Sequence, residues 1–290
     1  MIQHRKEWPL TMMCRLLQVS RSYFYQCTQP KSGIKKQGNS YLEKDLTAVF
    51  HHHHSNYGSR RLVKELRKKT HKVGRYKVRK LMNKLGLVAH RPRSYKATTD
   101  SEHNYPYSDN VLARNFDVKE PNRVWSTDIT AIKTREGWSY LAIVVDLYSR
   151  QIIGWSVAKH MRTQLCLDAL TMAWWRRRKP QGVMHHSDRG SQYASYVYRE
   201  KLHEYSMISS MSRTGSCLDN SPTERVFRTL KTEWFNRWSY TSHEELEQAI
   251  WHYISYYNSK RLHSTLGYLS PMEFERQSNE NDINKVSVFS

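Results

Sequence analysis

Acidic side chains are scarce in this 290-residue chain: 26 Asp and Glu stand against 47 Lys and Arg, for a formal net charge of +21. A field of that sign excludes a cationic partner and calls for a polyanion. Cysteine is sparse too. Cys14, Cys27, Cys166 and Cys217 form no C-x-x-C pair, and no His pair lies near them. That excludes a zinc finger and leaves free thiols in a reducing compartment. No apolar run reaches 18 residues, so no membrane span and no membrane partner are expected. The N-terminus has no apolar region followed by a small-residue cleavage site, which argues against secretion. Residues 1–30 carry no heptads. The expected location is the cytoplasm, associated with the nucleoid.

The positive charge is unevenly placed. Residues 1–120 hold 25 Lys and Arg against 9 Asp and Glu, and residues 58–99 hold 15 against one. Residues 1–35 read as a short helical segment, in which Leu17-Gln18-Val19-Ser20-Arg21-Ser22-Tyr23-Phe24-Tyr25 looks like part of a helix-turn-helix; a two-helix hairpin with no DNA role is the alternative. The stretch 31–39, rich in Lys, Gly, Ser and Gln, reads as a linker. Residues 41–95 then carry three helical patterns: 41–54, 60–70 after a Gly58-Ser59 cap, and 76–85. The run His51 to His54 reads as a helix end without convergent metal ligands. Arg75, Lys77, Arg79, Lys80 and Lys84 line the last helix, with Arg60 and Arg61 opening the one before. Such cations contact phosphates, which gives affinity and salt dependence rather than sequence choice. Residues 96–120, with Pro106 and no clear period, read as a linker.

From residue 121 the texture changes. Val124–Thr134 alternates like a strand, Gly137–Leu147 with its run Tyr140 to Val145 reads as a buried strand, and Arg150–Ala158 as its hairpin partner. Strands at 182–186 and 207–212 interleave with helices at 163–178, 194–205, 222–237 and 243–258. Residues 121–278 are thus expected to form an α/β layer, and 279–290 a flexible tail.

Three acids stand out. Asp128 sits mid-strand in Trp125-Ser126-Thr127-Asp128-Ile129-Thr130, where a charge is costly unless paired. A metal would pair it; an edge strand facing water is the alternative. Asp188 closes the strand Val183 to His186, at the end where α/β sheets gather ligands. Its alternative is a turn-forming Asp before Gly190. Glu224 follows Ser221-Pro222-Thr223, a pattern that a capping box would also produce. Either role puts Glu224 on a first helical turn, with Arg228 and Lys231 along the same face. Carboxylates converging from separate elements suit two divalent ions in phosphoryl transfer. Asp146 reads as a hairpin-shaping residue paired with Ser149 or Arg150, and Asp219 as ordering the loop before the helix.

The stretches Trp125 to Thr130, Gly137 to Trp155, His186 to Tyr193, Ser210 to Glu233 and Tyr256 to Leu266 resemble the DDE transposases of the bacterial insertion-sequence-three family. Thirty-five residues separate Asp188 from Glu224, and Lys231 follows Glu224 by seven, as in that family. The resemblance runs over nearly the whole chain. It implies a ribonuclease H-like catalytic domain of the retroviral-integrase kind: a five-stranded mixed sheet with flanking helices, behind small all-α helix-turn-helix-like domains. It implies two Mg²⁺ or Mn²⁺ ions held by Asp128, Asp188 and Glu224, cleavage at a 3′ end of the element, and attack by the freed 3′-OH on another phosphodiester. Lys231 is then expected to contact DNA near the element tip. Tyr257, Asn258, Arg261 and His263 match a family signature of unassigned role. The family implies DNA as partner, an oligomer on DNA, and an upstream reading-frame product with which this chain acts or is fused. The residues leave two other readings open: a DNA-binding regulator with an unused core, and a structure-specific nuclease that cuts without joining.

Overall fold

The computed structural model describes residues 1–28, 34–90, 107–213 and 216–287. The N-terminal part is all helical: α1 (Leu10–Leu16), α2 (Arg21–Thr28), α3 (Ile34–His52), α4 (Ser59–Lys68) and α5 (Arg75–Lys84). Leu42, Leu46, Val49 and Phe50 of α3 recur at helical spacing. They bury against Leu62 and Leu66 of α4 and Val78, Leu81 and Met82 of α5. Leu262, from far along the chain, completes this core. Two expectations change here. The stretch 31–39, read as a linker, is helical from Ile34, because α3 continues upstream of its apolar stripe. Gly58, not Ser59, is the residue that caps α4.

The second part is built on one sheet. β1 (Val124–Thr134) and β2 (Gly137–Asp146) form a hairpin, and β3 (Ile152–Ala158) extends it antiparallel. β4 (Met184–Ser187) and β5 (Ile208–Met211) join on the other side of β1 in parallel, giving the order β3-β2-β1-β4-β5. This is a five-stranded mixed sheet of ribonuclease H-like topology. β2 is buried on both faces, as its unbroken apolar run requires. Ala142 and Val144 point to one face, where α6 (Thr163–Arg176), α7 (Ser191–Ala194) and α8 (Tyr196–Glu204) pack. Leu141, Ile143 and Val145 point to the other, under α9 (Ser221–Glu233) and α10 (His243–Ser259). Gly154 is where α6 lies closest: a Cβ there would stand 2.1 Å from the Ala169 carbonyl oxygen.

α11 (Pro271–Ser287) leaves along α10. The tail expected at 279–290 is therefore helical as far as Ser287. Glu275 anchors α11, taking two bonds from the Arg177 guanidinium at 2.7 and 2.6 Å. Asp146 shapes the β2–β3 turn, but not through the side chains of Ser149 or Arg150. Its carboxylate accepts from the backbone N–H of Asn122 (2.8 Å) and Tyr148 (3.0 Å), with Arg177 at 3.6 Å. Among the described residues no helix is long and apolar enough to cross a membrane.

Candidate active site

The first two acids come from neighbouring strands of the sheet. β1 and β4 are parallel neighbours with Ser126 opposite His186. Asp128 follows Ser126 by two residues in β1 and shares its side-chain parity, and Asp188 stands just past the end of β4, two residues after His186. That parity faces α9: the Ser126 hydroxyl donates to Asn220 Oδ1 at 2.5 Å, and His186 Nε2 lies 3.1 Å from the Asp219 carbonyl oxygen.

The third acid arrives through the same contacts. Thr223 Oγ1 donates to Ser126 Oγ at 2.7 Å, and Asn220 Nδ2 to the Thr127 carbonyl at 3.1 Å. The first turn of α9 is thereby bonded to β1 one step before Asp128, and Glu224 follows Thr223. The capping box does not form. Asn220 stands at the N-cap position without a side-chain cap bond, and Ser221 is the first helical residue. Glu224 is exposed and is not spent on the helix end.

The pre-helix loop is anchored separately. The buried Asp219 takes a bond from Arg114 Nε at 2.6 Å, a fork from Arg213 at 3.0 and 3.1 Å, and one from Asn110 Nδ2 at 2.9 Å. Those bonds, led by Arg213, hold its carboxyl well below the usual range. Asp219 does order the loop, as its position suggested.

Burial raises the carboxyl of Asp128 well above its ordinary value, and the charges of Asp188 and Glu224 push the same way. Partial desolvation raises Glu224 even in its exposed position, Asp188 adds to the rise, and Arg228 opposes it. Lys231 is lowered by burial and pulled back up by Asp128. The three acids, Arg228 and Lys231 therefore share one electrostatic space. Asp128 Oδ1 accepts from its neighbour's N–H, Ile129, at 2.8 Å, and Asp188 Oδ1 from Gly190 N–H at 3.0 Å. Among the described residues no three His, Cys, Asp or Glu side chains are already drawn together as a metal cage. Hard oxygen donors that repel one another suit a divalent cation of the Mg²⁺ class, whose charge would relieve the repulsion. His185 and His186 beneath them are not ligands. Burial drives them down to about 3 and about 4, so both are neutral and bond inward, His185 to the Tyr198 hydroxyl and His186 to Ser210.

Comparison with known proteins agrees with this architecture. Family models described as integrase core domain match residues 118–217 and 224–278, and one described as HTH-like domain matches 39–95. The transposase InsF of insertion sequence IS3A from Escherichia coli K12 is 37% identical over 278 residues, 95% of this chain and 96% of that protein. The chain belongs to the IS3 family of transposases. An uncharacterized 31 kDa protein of insertion element IS600 from Shigella sonnei is 38% identical over 266 residues, 91% of this chain and 98% of that protein. The HTLV-2 integrase catalytic core domain, solved in complex with magnesium, overlaps 53% of this chain and 96% of its own, at 19% identity and a TM-score of 0.42. The transposase is thus a polynucleotidyl transferase with an integrase-type core. That core type carries a requirement for a divalent metal, and the HTH-like domain makes DNA the partner.

The remaining candidates divide. On the helical part of the transposase, Arg60, Arg75, Lys77, Arg79 and Lys80 are exposed. Lys84 pairs with Glu43 at 2.8 Å and stays largely in solvent. Arg61 does not join them. It turns inward over the Tyr57 ring and approaches Glu233 at 3.5 Å, because α4 docks on the catalytic domain along that face. The signature residues make their bonds away from the three carboxylates. Asn258 clasps the backbone of Ile152 with both amide atoms, at 3.0 and 2.8 Å. The Tyr257 hydroxyl donates to the Arg150 carbonyl at 3.2 Å. Arg261 forks onto Glu233 and stands 3.2 Å from His263. Asn220, Thr223 and Glu233 were not picked out from sequence. The available signal was the pair Ser126 and Thr127, polar residues in a strand whose neighbours are apolar, which had to find partners.

Proposed function

We propose that Asp128, Asp188 and Glu224 are the catalytic carboxylates of strand cleavage and 3′-OH strand transfer during transposition of an insertion sequence. One observation carries this reading. The β1–β4 pairing and the Ser126–Thr223 and Ser126–Asn220 bonds set the end of β4 and the first turn of α9 beside β1, which supports a shared site for the three acids. Their residue types fit two Mg²⁺ or Mn²⁺ ions, which when bound activate the attacking oxygen and stabilise the leaving one. Asp128 is held within β1, and Asp188 stands in the loop directly after β4, its carboxylate tied to Gly190 N–H. Glu224 would supply the third carboxylate from the first turn of α9, where it is exposed. Lys231 and Arg228, on the same face of α9, hold the phosphates beside the scissile bond. Residues 41–95 grip the duplex through Arg60, Arg75, Lys77, Arg79, Lys80 and Lys84, and residues 121–278 carry the chemistry. The protein works in the cytoplasm on the nucleoid, as an oligomer on DNA, together with or fused to an upstream reading-frame product.

The test offers the transposase a precut element end with a free 3′-OH, target DNA and Mg²⁺. Joined product is expected from the wild type. Asp128→Asn, Asp188→Asn and Glu224→Gln are each expected to abolish joining while still binding DNA. Cutting without joining would favour a nuclease, and DNA binding with no metal-dependent chemistry a regulator.

A further inference from the structure

Glu233 ends the helix that carries Glu224 and Lys231, and it is buried at the seam between the helical and catalytic parts. Its carboxylate takes a fork from Arg261, Nε and Nη2 both at 2.7 Å. It also accepts from the Tyr253 hydroxyl at 3.1 Å and from Arg61 of α4 at 3.5 Å. Its backbone carbonyl accepts from Asn56 Nδ2 at 3.2 Å and Arg237 Nη1 at 3.4 Å. Arg237 Nη1 in turn donates to the His54 carbonyl at 2.5 Å. Beside these bonds the Tyr57 hydroxyl accepts from Leu262 N–H at 2.8 Å, and His53 Nδ1 meets the Tyr256 hydroxyl at 3.0 Å.

The charges around this residue are unequal. One carboxylate faces two guanidiniums, and His263 is held neutral by burial and by Arg261. A purely structural clasp needs only the Arg261 fork, which already satisfies Glu233 within the catalytic part. Arg61 and Asn56 come from the other part and bond the same residue on its side chain and its carbonyl. Both belong to the segment that enters α4, the helix whose next face displays Arg60. A shift of α4 on DNA therefore pulls on the last turn of α9, which also carries Lys231.

We propose that Glu233, gripped by Arg61 and Asn56, is a positioning residue that couples seating of the α3–α5 domain on DNA to the setting of α9, and so of Lys231 and Glu224, in the active site. This rests on the catalytic reading above. It assigns Arg61 to coupling rather than to DNA, and it gives Arg261 and His263 of the signature a place in the same device.

The test compares Arg61→Ala with Arg60→Ala in the full chain. Two readouts are taken with a labelled element end: Kd, and the single-turnover joining rate at saturating DNA. Arg60→Ala, which removes a phosphate contact, is expected to raise Kd. Arg61→Ala is expected to keep Kd within about twofold and lower the saturated rate by about tenfold, the size such coupled networks carry. Arg61→Lys, which returns a cation to Glu233, recovers most of that loss. A rise in Kd above about fivefold for Arg61→Ala, or an unchanged saturated rate, overturns the proposal. If the wild type joins no ends, the catalytic reading has failed and amide hydrogen exchange decides the coupling. DNA binding should slow exchange across residues 226–234 in the wild type and not in Arg61→Ala; equal slowing in both overturns it.

Discussion

Replacing Asp128 by Asn should make the metal-free transposase more stable while removing its activity. The carboxyl of Asp128 is raised by burial, by Asp188 and by Glu224. In the window between its unfolded value near 3.9 and that raised value, the folded chain holds a proton that the unfolded chain has lost. The group therefore destabilises the fold progressively as pH rises through the window, and in full above it. Asp128 lies on β1 and Asp188 directly follows β4, and neighbouring strands stand about 4.8 Å apart. Two unit charges about 5 Å apart repel by about 3 kcal/mol at an effective dielectric near 20, and partial exposure reduces this to about 1–2 kcal/mol. Asn keeps the acceptor for Ile129 N–H and removes the charge. Thermal unfolding in EDTA at pH 7.5 should show Asp128→Asn higher in Tm by roughly 2–8 °C. Adding Mg²⁺ should raise the wild type and lift the variant less. The wild-type minus variant difference should shrink as pH falls through the raised value of Asp128, because the folded acid then carries its proton; the histidine contributions cancel in that difference. A variant that is less stable than the wild type in EDTA would refute the claim that the carboxylates are held in mutual repulsion.

Other consequences can be measured with the same protein. Arg261→Met leaves Glu233 buried with the distant Arg61 as its remaining guanidinium, and should cost about 3–5 kcal/mol in urea unfolding. Gly154→Val puts side-chain atoms into the α6 backbone, and should leave little folded protein by circular dichroism. His185 and His186 are held neutral, so the unfolded state takes up their protons first. Stability should fall as pH drops below about 6.5 and keep falling toward about 4, read by unfolding midpoints. Replacing Lys77 and Lys80 together by Ala should weaken DNA binding across sequences and reduce the slope of log K against log salt by about two.

Much of this architecture could be read from the residues, for identifiable reasons. The alternation of β1, the unbroken apolar run of β2 and the helical stripes of α4 and α5 are local periodicities, and local periodicity is written in sequence. The three acids were visible because each is expensive or conspicuous where it stands. What escaped were partners distant in the chain. Asp146 looked purely local, yet beside the nearby Tyr148 N–H it is matched by the distant Asn122 and Arg177. Ser221 looked like a cap, but Asn220 takes that position and its side chain joins β1. Arg61 looked like its neighbour Arg60, and only the packing of α4 on the end of α9 separates them. The stretch 31–39 has a linker's composition, yet α3 begins at Ile34.

The most direct measurement is Mg²⁺-dependent joining of a precut 3′-OH end by Asp128→Asn, Asp188→Asn and Glu224→Gln, each first shown to bind the end as tightly as the wild type. Loss of joining by about a thousandfold or more in all three is predicted. Joining at a wild-type rate by any one of them would contradict the assignment of these carboxylates as the catalytic set.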